Sequence, residues 1–317
     1  MAPAFKGVGI NKMWLTLAFL SAALLGFYDS FKKKALQGNA VIPVLFLNTV
    51  FSSVIFLPFI LLSYNTRMLD NTIFYVASGG WEVHKYIVLK SVIVLSSWLF
   101  GYFGIKHLPL TIVGPINATR PVMTLVGALI VFGERLNVYQ WIGVVLAMLS
   151  FMLLSRSSKK EGIDFKHDIW IYFIVIAALL GAVSGLYDKY LMASVDVGGV
   201  GLDRMMVQGW YNIYQCFWML IMLVIIWMPV RRRTTPFHWD WSIIFISIFL
   251  CAADFVYFYA LSVPDAMISI VSMVRRGSVI VSFLFGALLF REKNIKSKAL
   301  DLALVMLGML FLYFGSK

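Results

Sequence analysis

The sequence predicts an all-α polytopic membrane protein, with ten transmembrane helices arranged as two inverted five-helix repeats. The chain is 61% hydrophobic and only 13% charged, whereas about a quarter of a soluble domain is charged. Apolar runs near the length of about 20 residues needed to cross a bilayer recur along the whole chain. Short motifs of the first half also recur, in the same order, in the second half.

Ten apolar runs with polar boundaries define the predicted spans. They cover roughly 13–31, 41–63, 86–105, 111–132, 138–155, 169–193, 205–229, 241–262, 266–290 and 295–314. The polar stretch 156–168 is the predicted linker between a first repeat (1–155) and a second repeat (169–317). No ten-residue segments of alternating polarity are visible, so the pattern does not indicate a transmembrane barrel.

The internal repetition rests on several short matches. Gly-Phe-Tyr-Asp at 26–29 recurs as Gly-Leu-Tyr-Asp at 185–188, and Ala-Ala-Leu-Leu-Gly at 22–26 recurs at 177–181. Five crossings in the first half bring the chain to the opposite face, so the second half begins with inverted topology. Such a repeat predicts a solute site near the midplane between the halves.

The net charge of +12 does not indicate a surface that binds nucleic acid. The basic residues fall in short clusters between apolar runs, at 32–34, 156–166, 231–233 and 291–298, rather than in one patch. Loop cations of this kind are orientation signals. Most follow odd-numbered spans, which places the linker in the cytoplasm and both termini outside, in a multi-pass protein of the cytoplasmic (inner) membrane.

Neither a disulfide framework nor a metal or cofactor site is predicted. Cys216 and Cys251 both lie inside apolar runs, where no disulfide is implied. The four histidines are scattered, and no pair has the spacing of helical metal ligands.

One region resembles a known family. Pro121, Gly-Ala-Leu-Ile at 127–130, Phe-Gly-Glu-Arg-Leu at 132–136 and Gln-Trp-Ile-Gly at 140–143 are similar to the EamA-type repeat of the drug/metabolite transporter superfamily. A second copy begins at Phe285. The resemblance implies ten helices in two inverted repeats and transport of a small solute across the membrane.

The resemblance also maps family features onto individual residues. The acid that follows the fourth helix of each repeat corresponds to Glu134 and Glu292, which we interpret as cap or loop-pairing residues. The polar residue of the second helix corresponds to Asn48 and, more loosely, to Asn212. The second repeat departs from the pattern, because Gly277 stands where a proline is expected.

Asp29 and Asp188 are the first candidate site residues. A charged side chain at the centre of a membrane helix costs about 2.5–3.5 kcal/mol, so it is expected to face a cavity or a partner. Each acid is therefore a candidate for binding solute or carrying a proton. The alternative is a local ion pair, with Lys33 for Asp29 or Lys189 for Asp188.

Two groups of basic and polar residues repeat between the halves. Arg120 and Asn117 share a face of the fourth span, and Arg275 and Arg276 lie in the ninth. Forked guanidinium donors at equivalent depth suit a carboxylate or phosphate. The alternative is a structural ion pair with Asp254 or another acid.

Polar residues of the seventh and eighth spans complete the candidates. Asp254 has no adjacent cation, and Tyr257 lies one turn on along the same face; this acid is either the partner of an arginine or a coupling acid. Gln208 and Asn212 are spaced i, i+4, which suits either a solute pathway or ordinary interhelical hydrogen bonds of about 0.6 kcal/mol each. Tyr28 and Tyr187 suit either an aromatic wall or simple packing.

These features together predict a secondary transporter that works by alternating access. Acids and arginines in both halves suit a small polar metabolite, an amino acid or a related zwitterion or anion. Protons are a plausible coupling ion, because carboxylates in a low-dielectric cavity exchange protons near neutrality. The alternatives are an exporter of cationic drugs or amines and a non-transporting sensor or scaffold. An intramembrane enzyme is disfavoured, since the sequence shows no nucleophile or metal-ligand motif.

Overall fold

The computed structural model describes residues 10–120, 122–123, 137–159, 166–192, 194–262, 271, 274–275, 277–289 and 295–315. Within them the regular structure is helical and no strand is present. The helices are α1 (Ile10–Leu36), α2 (Val41–Asn65), α3 (Trp81–His107), α4 (Leu110–Ala118), α5 (Val138–Lys159), α6 (Ile169–Met192), α7 (Arg204–Val230), α8 (Ser242–Ser262), α9 (Ser278–Leu288) and α10 (Ile295–Gly315).

Six of these helices are long and apolar enough to cross a membrane, by length and composition. They span Met13–Leu36, Val41–Asn65, Trp81–His107, Ile169–Met192, Arg204–Val230 and Ser242–Ala260. Each coincides with a predicted span, because an apolar run in lipid satisfies its backbone hydrogen bonds as a helix, and about 20 residues of helix are long enough to cross the bilayer. The predicted spans 111–132 and 266–290 are described only in part, and Glu134 and Glu292 lie outside the described residues.

The basic residues 32–34, which follow the first predicted span, belong to the end of a helix rather than to a loop. α1 continues to Leu36, and Lys33 and Lys34 lie in its last turn. Cations are favourable there because they face the negative end of the helix dipole. Lys90 lies inside α3 and within the predicted span 86–105, so it is not a loop cation. Both points weaken the predicted orientation, which stays a prediction.

The helices of residues 1–155 pack mainly against those of residues 169–317. α1 lies along α8, α3 along α6, α2 along α7, and α5 along α10. Gly26 allows α1 to approach α9, since a Cβ atom there would lie 2.3 Å from the Cβ of Val281. Gly104 allows the same close approach of α3 to α6, because a Cβ atom there would lie 2.3 Å from Cδ1 of Ile174.

Contacts at one end of the bundle show in which direction the helices run. Lys33 Nζ, near the end of α1, donates to the carbonyl oxygens of Ile105 and Leu108 at 2.6 Å each. The ring of His107, the last residue of α3, stacks on Trp170, the second residue of α6, with ring centroids 3.6 Å apart. α1 and α3 therefore end where α6 begins, so α1 and α6 run in opposite directions.

Candidate functional site

Asp29 has partners on two helices. Its Oδ1 lies 2.7 Å from Lys32 Nζ, one turn further along α1. Its Oδ2 accepts a hydrogen bond of 3.2 Å from Ser282 Oγ on α9. The predicted pairing with Lys33 is wrong, because Lys33 reaches past the end of α1 to the unpaired carbonyls that terminate α3.

The rings of two tyrosines lie beside the Lys32 ammonium. Lys32 is 6% exposed, and its Nζ lies 4.0 Å from the ring centroid of Tyr28 and 5.3 Å from that of Tyr102. The negative face of an aromatic ring attracts a cation, most strongly where water is excluded. Tyr28 therefore contributes to the charged cluster as well as to packing.

Asp188 pairs across the bundle with Lys90 of α3, and the side chain of Lys189 is not described. Lys90 is 3% exposed, and its Nζ lies 5.1 Å from the ring centroid of Tyr211 and 5.6 Å from that of Phe258. Sequence reasoning missed Lys90, although a lone lysine between the apolar residues of the third span carried a signal.

Asp254 is the partner of an arginine, one of its two predicted roles. Its Oδ1 pairs with Nη2 of Arg275, and its Oδ2 accepts a hydrogen bond of 2.8 Å from the hydroxyl of Tyr211. The Arg275 guanidinium also lies over Tyr257, 4.2 Å from the ring centroid. Arg276 lies outside the described residues.

Arg120, which is partly buried, differs from the other cations near these acids. No carboxylate among the described residues forms an ion pair with it, and its buried Nε has no hydrogen-bond partner. The guanidinium lies against Gly181 of α6, where a Cβ atom would come within 2.8 Å of Nη1. Asn117, one turn earlier, also has a buried Oδ1 without a partner. Arg120 and Asn117 thus offer an unused donor and an unused acceptor side by side.

Most of the remaining candidates form hydrogen bonds within the bundle. Gln208 Nε2 donates to the carbonyl of Cys251 at 3.3 Å, and Asn48 Oδ1 accepts from Ser247 Oγ at 3.0 Å. Asn212 Nδ2 donates to the carbonyl of Gln208 at 2.8 Å. The bonds of Gln208 and Asn48 join α7 and α2 to α8, one of the two roles predicted for such residues.

Tyr187 lies apart from the ion pairs. Its hydroxyl donates to the carbonyl of Tyr86 at 3.2 Å, which joins α6 to the first turns of α3. Its described contacts are those of a packing residue.

The charged residues form one electrostatic network. Tyr211 links two of the ion pairs, because Lys90 Nζ lies 5.1 Å from its ring centroid and its hydroxyl donates to Asp254. Arg120 lies against Gly181, on the same helix as Asp188. Three aspartates therefore face four cations, namely Lys32, Lys90, Arg120 and Arg275, so the described network carries one excess positive charge. In the described residues no group of three histidines, cysteines or acids could hold a metal ion.

Part of the sequence is similar to a known family of transporters. The sequence model of the EamA-like transporter family matches residues 12–156. This match covers somewhat less than half of the chain. The resemblance noted from the sequence is confirmed over this range, and the described helices support a multi-pass membrane protein.

A solved structure extends the likeness of fold beyond the EamA-matched part. One crystal structure, described simply as that of a protein, superposes with a TM-score of 0.61 over 95% of this chain and 97% of that chain, at 11% identity. At this identity the likeness concerns the fold alone. No curated protein matches the sequence.

Proposed function

We propose that the protein is a secondary transporter of a small polar metabolite that carries a negative group, an amino acid or a related zwitterion or anion. The observation that supports the proposal is the balance of positive and negative side chains in this network. Asp29, Asp188 and Asp254 each hold a cation already. Arg120 has no carboxylate partner among the described residues, so a solute carboxylate would complete the fourth pair.

The energetic argument is the cost of an uncompensated charge in a low-dielectric site. A buried cation without an anion is costly in a membrane protein, and pairing with an anion in good geometry recovers part of that cost. Guanidinium binds a carboxylate through two parallel hydrogen bonds. This favours an anionic group over the cationic drug of the alternative hypothesis, because an amine would have to displace Lys32, Lys90 or Arg275 from its acid.

Alternating access between two inverted five-helix repeats is the mechanism we propose. The opposite directions of α1 and α6 support it, as does the exchange of packing partners, α1 with α8 and α3 with α6. The Asp188–Lys90 pair joins the two halves directly. A solute that draws Arg120 toward itself would shift charge within this network and so favour one arrangement of the halves over the other.

Protons are the coupling ion in this proposal, and the cytoplasmic (inner) membrane is its location. The groups available to carry a proton through the bundle are two buried carboxylates, Asp188 and Asp254, and the partly buried Asp29. An imposed pH gradient should therefore accelerate uptake into liposomes, and a protonophore should remove that acceleration. Uptake at the same rate with and without the pH gradient would indicate a carrier that is not coupled to protons.

The test is uptake of labelled amino acids and dicarboxylates by purified protein in liposomes. Arg120→Gln is expected to reduce uptake at least tenfold, since a charged hydrogen bond is worth about 1.5–3 kcal/mol, while Arg232→Gln, in the exposed turn after α7, serves as the matched control. Preserved uptake of a carboxylate by Arg120→Gln would contradict the proposal. If the protein transports amines, and neutralising Asp254 abolishes that transport whereas Arg120→Gln does not, the cationic exporter is favoured.

A further inference from the structure

One side of α6 faces the interior of the bundle and carries two glycines. The exposed apolar side chains of this helix include Tyr172, Ile176, Leu179 and Val183, which repeat at helical spacing and mark the lipid-facing side. Gly181, Gly185 and Asp188 repeat at i, i+4 and i+7 on the opposite side. Gly185 therefore lies on the side of α6 that faces the bundle, and it is partly exposed there.

Open space lies beside Gly185. A Cβ atom added there would have no heavy atom within 4 Å of it among the described residues. At Gly26, Gly104 and Gly181 such an atom would lie within 2.8 Å of a neighbour. Protein interiors are packed as densely as organic crystals, so a position on the inner side of a helix that no described residue fills is an exception and a candidate place for a ligand.

Charged groups bound this space along the helix. The Arg120 guanidinium lies against Gly181, one turn before Gly185, and the Asp188–Lys90 pair lies about one turn after it. At 1.5 Å per residue the two levels are about 10 Å apart along the axis. Arg120 contributes a positive charge that has no carboxylate partner among the described residues, and the ion pair contributes a polar wall at the other end.

We propose that this space is a water-filled, anion-selective chamber and that Gly185 sets its size. The absent side chain leaves room for the body of a solute whose negative group lies at Arg120. The identity of that solute rests on the proposed function, whereas the existence of the chamber does not. A larger residue at 185 would narrow the chamber without disturbing a packed neighbour.

Thiol labelling tests the chamber without knowledge of the solute. Single cysteines are placed by Gly185→Cys, Ala178→Cys and Val183→Cys on α6, in a chain carrying Cys216→Ser and Cys251→Ala. Membranes are treated with sulfonatoethyl methanethiosulfonate, which is anionic and does not enter lipid. Residue 185 should be modified at least tenfold faster than residue 178, which is fully buried, and than residue 183, which faces lipid.

Charge selectivity is measured with a second reagent. Rates for the anionic reagent and for cationic trimethylammonioethyl methanethiosulfonate are compared at residue 185 and at the exposed position of Val195→Cys. A focused positive field raises the local anion concentration by about tenfold or more, so the anion-to-cation ratio should be about tenfold higher at 185 than at 195. Equal ratios, or a residue 185 as unreactive as residue 178, would overturn the proposal.

Size selection is tested on uptake of glycine, alanine, leucine and phenylalanine. Gly185→Leu should lower uptake of the larger amino acids more than that of glycine, whereas Val183→Leu, which adds bulk toward lipid, should leave the ratio unchanged. Parallel loss for all sizes would refute a size-setting role for Gly185. Labelling of residue 185 in a protein that moves none of the four would retain the chamber and reject the proposed amino-acid solute.

Discussion

At the scale of single residues, the arrangement of Arg120 explains how a small change could alter function with little effect on folding. Its guanidinium occupies the groove that Gly181 leaves on α6. The neighbour that a new Cβ would meet is the end of a long, flexible side chain rather than backbone. The guanidinium can move aside at low cost in stability, but only by leaving the place where a solute carboxylate would meet it.

Gly181→Ala is therefore expected to separate stability from transport. Uptake should fall at least tenfold, because displacing a guanidinium by about 1 Å breaks a two-bond contact with a carboxylate. The melting temperature in detergent should change by no more than a few degrees. Gly101→Ala is the control, since its Cβ would make an ordinary 3.7 Å contact with Ala177. Normal uptake by Gly181→Ala would show that the position of Arg120 does not matter.

Lys90 allows a second test at this scale. Lys90→Met leaves Asp188 buried without its partner and is expected to destabilise the protein by about 3–5 kcal/mol. Adding Asp188→Asn should restore most of the lost melting temperature, because the unpaired charge is then removed. The comparison is a double-mutant cycle on melting temperatures. Strictly additive effects would mean that the two residues do not interact.

At the scale of secondary-structure elements, helix ends and close approaches determine how the bundle is assembled. Asp203 caps α7, with its Oδ1 accepting a hydrogen bond of 2.8 Å from the amide of Met206. The same helix contains a π-helical segment, Leu223–Trp227, a feature that often marks a functional site. Gly26 brings α1 against α9, which places Ser282 beside Asp29.

The cap of α7 gives a prediction with a small, defined size. Asp203→Ala should destabilise the protein by about 1 kcal/mol, because the amide of Met206 loses its acceptor. Asp203→Asn should retain most of the stability, since asparagine caps about as well as aspartate. Thermal unfolding in detergent measures both variants. Equal losses for alanine and asparagine would assign the effect to charge rather than to capping.

At the scale of the whole molecule, loops of the two halves are joined at the end of the bundle where α1 ends. Asn39 Nδ2 donates to the carbonyl of His238 at 2.8 Å, and the His238 amide donates back to Asn39 Oδ1 at 3.1 Å. Lys106 Nζ also donates to Thr235 Oγ1 at 2.8 Å. Alternating access requires such an end to open during each cycle.

Locking this end should stop transport. Cysteines introduced by Asn39→Cys and His238→Cys, in the chain without Cys216 and Cys251, can be joined by a short bifunctional thiol reagent. Uptake into liposomes should fall to the level of empty vesicles after cross-linking, whereas either single-cysteine variant should be unaffected by the reagent. Full uptake by the cross-linked protein would exclude opening at this end.

The individual partners show which parts of the site were predictable. Asp29, Asp188, Asp254 and Arg120 stand out in the sequence because each is a charge in an apolar run. Their partners were harder to find from the sequence: Lys32 lies just beyond the first predicted span, and Lys90 was overlooked inside a span. Sequence spacing indicates neighbours along one helix, but Asp188 and Lys90 come from helices of different halves, which only packing brings together.

The sequence alone determined that this chain is a bundle of membrane-crossing helices, because hydrocarbon length and the need to satisfy every backbone hydrogen bond leave few other solutions. It also indicated which residues carry buried charge, since that charge is costly in lipid. The tertiary structure decided how the charges pair, that Arg120 stays without a carboxylate partner among the described residues, and that open space lies beside Gly185. These properties depend on the meeting of helices that are distant in sequence, and local periodicity does not encode them.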